Sequence, residues 1–261
     1  MDSLLIIFAK EPAPGQVKTR LSPDLSPQGA AELYRGFMED ILEEMARVPD
    51  LHLALAYTPE SARAFFAGWL PPGIQLFPQE GRDLGERMAR ALEWGFREAY
   101  ISSPYRCHQP SNYPIDDSYA FNRKPKTENR KLYSQPVLLR GSDTPDLPGE
   151  IIQEAAEALT AGNAELVLGP AMDGGYYLVG LNAPWPELFR DIAWSTPQVL
   201  TDTLNLARSL ALKVHLLPAW RDIDTYPDLL SFLSRPHPRP QPGWRTHRLA
   251  RSFLEAPKTQ K

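Results

Sequence analysis

The chain begins with SLLIIFAK at residues 3–10, an apolar run with β-branched residues that stops at EPAPG, and this predicts a buried first strand closed by a loop. Ser26 and Pro27 then suit an N-cap and first turn, after which Leu33, Phe37, Ile41 and Met45 recur on one helical face. LHLALAYT at 51–58 and IQLFPQ at 74–79 predict two further strands, with a short helix at 60–70 between them. Asp83 and Glu86 have the spacing of a capping box, and Leu84, Met88, Ala91, Leu92 and Phe96 continue it as an apolar stripe. Strands are predicted again at 136–142, 164–171 and 213–218, with an extended segment at 175–181 and helices at 149–160 and 197–212. Thr225, Pro227 and Asp228 open a last short helix. Such alternation implies an α/β, doubly wound, mostly parallel sheet. Ligands bind such sheets beyond the carboxyl ends of the strands, where the strand order reverses.

Two segments break the pattern. Residues 101–135 are polar, contain 4 prolines and show neither helical nor strand periodicity, which predicts an irregular insertion; its five aromatics and positive charge also suit a binding loop. Residues 235–261 form a basic, proline-broken tail expected to be flexible, with contact to an anionic partner as the other reading. The expected organisation is a single domain at 1–234, interrupted by the insertion and followed by the tail.

Composition narrows the class. With 261 residues and 43% hydrophobic content the chain can close a large core. It lacks an apolar run of membrane-spanning length, and an acid stands where a signal peptide carries positive charge, so a soluble cytoplasmic protein is expected. Cys107 is the single cysteine, which rules out an internal disulfide and a cysteine zinc cluster. The net charge of -4 conceals a strongly acidic body: outside 101–135 and 235–261 there are 15 basic and 28 acidic residues. That balance argues against a nucleic-acid-binding face and suits a site that gathers divalent cations.

Candidate chemistry lies at the predicted strand ends. Asp143, Asp173 and Asp224 each follow a strand, so three carboxylates from distant positions can meet on one rim and hold Mg2+ or Mn2+. Taken singly, Asp143 also suits a turn before Thr-Pro, Asp224 a helix N-terminus, and the glycines after Asp173 a hairpin. The first loop, KEPAPGQVKTRL, offers Lys10, Lys18 and Arg20 beside Gly15 for phosphate oxygens, although it is no Walker A loop. QEGRDLGERM adds Gly81, Gly85 and a helix N-terminus on the same rim. An ordinary strand-to-helix connection explains either stretch equally well. Asp146, between two prolines, suits a turn-shaping role better than metal binding.

Six stretches taken together, IIFAKEPAPGQVKTRL, QEGRDLGERM, LLRGSDTPDLP, LGPAMDGGYYLVGL, IAWSTPQVLTDTL and RDIDTYPDL, resemble the bacterial glycosyltransferase-like family met beside radical-SAM proteins. That family, also labelled an arsenosugar-biosynthesis glycosyltransferase, has the nucleotide-diphospho-sugar transferase fold, a GT-A-like Rossmann-type architecture. It is related to the guanylyltransferases of molybdenum-cofactor and phospholactate metabolism. The resemblance implies a nucleotide site walled by Lys10, Gly15, Lys18, Arg20, Gln79, Gly81, Asp83 and Gly85. It implies catalytic roles for Asp143 and Asp173, a metal held by Asp143, Asp173 and Asp224, and substrate contacts from Gly174, Gly175, Trp194 and Ser195. The chain departs from the family pattern at Arg140, where the strand is commonly apolar, at Thr144, where a cysteine is frequent, and in the insertion.

The implied function is metal-dependent transfer of a sugar from a nucleoside diphosphate sugar to a small acceptor. A nucleotidyltransferase that releases pyrophosphate would use the same rim, and a non-catalytic nucleotide-binding module would keep the fold without the reaction. Base, sugar, acceptor, catalytic base and oligomeric state are not specified by the sequence.

Overall fold

The computed structural model of the chain describes residues 2–21, 24–101, 135–235 and 241–255. The expected insertion at 101–135 lies almost wholly outside them. Strands β1 (Ser3–Lys10), β2 (Leu51–Thr58), β3 (Gln75–Pro78), β4 (Val137–Arg140), β5 (Leu166–Pro170), β6 (Tyr176–Leu181) and β7 (Val214–Leu216) form one sheet in the order β3-β2-β1-β4-β6-β5-β7. All neighbouring pairs are parallel except those of β6, which runs antiparallel to β4 and β5. The expected doubly wound, mostly parallel α/β sheet is therefore the fold observed. Its strand order reverses between β1 and β4, because the chain winds outward through β2 and β3 before returning to the other side of β1.

β1 is buried along most of its length, as befits a central parallel strand covered on both faces. Helices α1 (Pro27–Met45), α2 (Arg63–Trp69), α3 (Leu84–Ile101), α4 (Gly149–Thr160), α5 (Val199–Ser209) and α6 (Tyr226–Leu233) supply the covering layers. Ser26 caps α1 by accepting from Gly29 N at 3.0 Å. The last short helix, α6, begins where Thr225, Pro227 and Asp228 are expected to open it, and Thr225 and Asp228 form a reciprocal capping box. Leu4 and Ile6 join one apolar cluster with α3, whereas Leu5 and Ile7 join another with α1 and α4, so alternate residues of one strand serve the two faces.

The tail departs from expectation. Trp244–Glu255 is a seventh helix, α7, which packs against α1. Its first backbone N–H groups need acceptors, and the buried carboxylate of Asp40 on α1 supplies them, accepting from Arg245 N at 3.2 Å and Thr246 N at 2.7 Å. Arg245 also pairs with Glu39 and Glu43, each at 3.3 Å. The charge of this stretch is thus spent partly within the molecule. Among the described residues no helix is long and apolar enough to cross a membrane.

Candidate functional site

A cavity of about 460 Å³ opens where the strand order reverses, lined by Lys10 from the end of β1 and by Gly141 and Ser142 just past β4. That volume suits a small-molecule ligand, for which sites of roughly 300–1,000 Å³ are usual. Lys18 and Arg20 from the first loop, Gln79 after β3, Asp143, and Asp222 and Asp224 after β7 complete its polar walls. Gln79 closes the ends of β1 and β2, its amide donating to Ala9 O at 3.3 Å and Ala56 O at 2.9 Å.

Lys18 organises the acids. Its side chain is 5% exposed, and its ammonium donates to Ile223 O at 2.8 Å and to Asp224 Oδ1 at 2.9 Å while lying 2.6 Å from Asp143 Oδ1. An ammonium has three donors, and here three acceptors take them. The charge also stands 5.2 Å from the Phe37 ring centroid. Burial alone would lower the Lys18 pKa, but Asp143 and Asp224 more than offset it and hold the group above the ordinary lysine range. In this arrangement Lys18 faces the acids instead of standing ready for a phosphate. Arg20 is 71% exposed, with Asp224 no closer than 3.9 Å. Lys10 lines the cavity with its ammonium unpaired among the described residues.

Asp222 belongs to this cluster too. Burial pushes its carboxyl up to about 7, and Asp143, Asp224 and Asp173 add to the shift while Lys18 opposes it. It stands two residues before Asp224 in RDIDTYPDL, and a second acid so near an expected ligand is the sequence signal that could have found it. The ordinary aspartate value is about 3.9. Between there and about 7 the folded, metal-free protein retains a proton that the unfolded chain has released, so the folded state loses stability as pH rises through that window. Asp222→Asn should therefore raise the melting temperature at pH 8 and change it little near pH 4. A shift of equal size at both pH values would show that Asp222 ionises normally.

The turn after β4 is held from inside. Arg140 is fully buried and donates to Thr144 O at 2.7 Å, to Thr144 Oγ1 at 2.8 Å and to Gly141 O at 3.1 Å. Burial pulls its pKa down to about 10, with Tyr177, Asp146 and Asp222 opposing. The two departures from the family pattern thus form one contact, the guanidinium and the threonine together fixing the turn that carries Asp143. Asp146 is buried as a structural acceptor, at 3.0 Å from Trp220 Nε1 and 3.1 Å from Arg235 Nη2.

Other expected site residues lie outside the cavity lining. Asp173 is exposed and folds back on its own turn, accepting from Gly175 N at 2.9 Å. Gly174 has φ +93° and backs against Pro197, where a Cβ would collide with the carbonyl. Gly85 is buried beneath Trp194, whose indole takes the space a side chain would need. Trp194 itself stacks with Phe189 at 6.5 Å and meets Tyr176 edge-on at 6.4 Å, so its ring is part of the packing beside the cavity. Ser195 is exposed with φ 63°, and Gly15 sits in an exposed turn. Gly81 precedes α3, and Asp83 caps that helix by accepting from Glu86 N at 2.8 Å. Among the described residues no three His, Cys, Asp or Glu side chains assemble into a metal-binding group, so Asp143, Asp173 and Asp224 do not come together as a triad.

A mostly parallel sheet with a polar cavity at its reversal point and acids past the strand ends defines an α/β protein of Rossmann-like architecture. The chain belongs to the family described as "Uncharacterized protein conserved in bacteria (DUF2064)", whose model matches residues 41–103 and 119–196. A crystal structure from Desulfovibrio desulfuricans G20, provisionally described as a nucleotide-diphospho-sugar transferase, is 32% identical; the alignment covers 97% of this chain and 99% of that one, with a TM-score of 0.75. A 4-diphosphocytidyl-2C-methyl-D-erythritol synthase from Anaerococcus prevotii DSM 20548 is 9% identical over 90% of this chain and 99% of that one, with a TM-score of 0.49. So distant a likeness bears on neither substrate nor mechanism. No curated protein matches the chain in sequence.

Proposed function

We propose that the protein is a transferase that binds a nucleoside diphosphate sugar with a divalent cation and passes the sugar to a small acceptor. The carrying observation is the cavity at the β1/β4 reversal, where Asp143 and Asp224 are drawn together beside Lys10 and Arg20. The description of the Desulfovibrio relative supports this reading, as does the resemblance to the glycosyltransferase-like family met beside radical-SAM proteins.

The donor set fits Mg2+ or Mn2+. Asp143 and Asp224 are 42% and 37% exposed at their side chains, leaving carboxylate oxygens open to the cavity. Such cations are commonly held by one or two carboxylates plus substrate phosphates. Burial is the first cause of the raised Asp222 carboxyl, and the repulsion that Asp143 and Asp224 add to it is the part a cation would relieve. A bound cation would neutralise charge on the departing diphosphate. Lys10 and Arg20 would hold its outer oxygens, and Lys18 would keep the two acids in place.

A thermal-shift series with nucleotides and nucleotide sugars, with and without Mn2+, tests the reading. A nucleotide sugar should raise the melting temperature most when Mn2+ is present, because ligands that bind only the folded state stabilise it. Product analysis should then show a nucleoside diphosphate; pyrophosphate would instead identify nucleotidyl transfer. If no nucleotide shifts the transition, the proposed donor site is wrong.

A further inference from the structure

Past β4, a chain of three polar groups ends at the cavity wall. Lys10 N, at the end of β1, donates to the Tyr34 hydroxyl at 3.0 Å, and that hydroxyl lies 2.6 Å from Ser142 Oγ. Tyr34 is 4% exposed and Ser142 5% exposed, yet both line the cavity. The direction of the second bond follows from counting protons. A phenol carries one proton, and among the described residues Ser142 is the only acceptor within reach of Tyr34. The Tyr34 oxygen already accepts from Lys10 N, which fills the acceptor role of the phenol and leaves its one proton to give, and Ser142 Oγ lies in place to take it. Tyr34 therefore donates to Ser142. The serine proton is left over, and no described residue accepts it. Burial, together with the nearby Asp143, pushes the Tyr34 hydroxyl up to about 12, so the phenol keeps its proton at neutral pH.

We infer that Ser142 is a ligand-binding residue that donates its hydroxyl proton to a phosphate oxygen in the cavity, with Tyr34 as the positioning residue that aims it. Phosphate is the fitting acceptor because Lys10, whose backbone starts the chain of bonds, brings an unpaired ammonium to the same wall. Asp143, the next residue, points its charge toward Lys18 and leaves the serine proton free. The inference rests on the reading of the cavity as a diphosphate site and adds to it a donor on the β4 side.

The test is calorimetric binding of pyrophosphate, then of a nucleoside, to the wild-type protein in the presence of Mn2+. Ser142→Ala should bind pyrophosphate about tenfold more weakly, the scale of one hydrogen bond to a charged group. Tyr34→Phe should weaken it less. The double variant should be no weaker than Ser142→Ala alone, since the phenol acts only through the serine. Additive losses would mean that Tyr34 merely supports the fold and would overturn its positioning role. An unchanged pyrophosphate affinity in Ser142→Ala, or a loss confined to the nucleoside, would overturn the phosphate assignment. Should Ser142→Ala fail to melt cooperatively, Ser142→Cys keeps the size with a weak donor and must show the same loss. If the wild-type protein binds neither pyrophosphate nor any nucleotide, the diphosphate reading falls first and this donor with it.

Discussion

Asp143→Asn should reduce cation-dependent turnover by roughly a hundredfold or more while leaving the protein folded, because the substitution keeps the shape of the side chain and removes the charge that would face the cation. From the sequence alone, a rim of like charges suggests that losing one acid leaves the metal-free melting temperature unchanged or higher. The geometry reverses that sign. Asp143 lies 2.6 Å from the Lys18 ammonium, so the carboxylate is a partner before it is a repeller. Its side chain is 42% exposed, which limits the loss to about 1 kcal/mol. Turnover assays with added Mn2+ and melting curves without it measure the two effects separately. Asp146→Asn should do the opposite: Asp146 is buried against Trp220 and Arg235, so stability should fall by about 1–3 kcal/mol while cation affinity holds. Cation binding lost with Asp146→Asn and spared with Asp143→Asn would exchange their roles.

The strands and helices were legible because each is a local statement. The run at 3–10, the Ser26 cap and the helix start at Thr225 need only neighbours a few residues away, and each appears where its pattern put it. The position of the cavity was legible for a topological reason, since the chain order of the strands fixes where the sheet reverses. The destinations of long side chains were not. Lys18 meets Ile223 and Asp224 across more than two hundred residues of chain, and nothing in KEPAPGQVKTRL distinguishes a lysine aimed at a phosphate from one aimed at an acid. The same holds for Gly85, which reads as a phosphate-loop glycine and instead makes room for Trp194. The tail misled for a further reason. The cluster of prolines at 236–242 stops two residues before α7 begins, and the acceptor for the α7 amides is Asp40, far away on α1. Arg140 and Thr144 look like separate departures until the fold shows them bonded.

Lys18→Met against Arg20→Ala should give a crossed result that fixes which basic residue serves the ligand. Methionine keeps the length and apolar stem of Lys18, but it leaves Asp143 and Asp224 facing each other with no cation and the Ile223 carbonyl without its donor. Removing one partner of a buried ion pair costs about 3–5 kcal/mol; both acids are more than a third exposed, so a loss nearer 2 kcal/mol is expected in the metal-free protein. Mn2+ should recover part of that loss and should bind Lys18→Met more tightly than wild type, because a competing positive charge has gone from between its ligands. Arg20 is 71% exposed and touches Asp224 only at 3.9 Å, so Arg20→Ala should leave the melting temperature unchanged. Its cost should appear in affinity for a diphosphate, about tenfold. Melting curves and pyrophosphate calorimetry on the two variants separate these outcomes. If Lys18→Met melts like wild type and loses the pyrophosphate affinity instead, then the ammonium leaves the acids when ligand arrives, and the first loop grips phosphate through Lys18 after all.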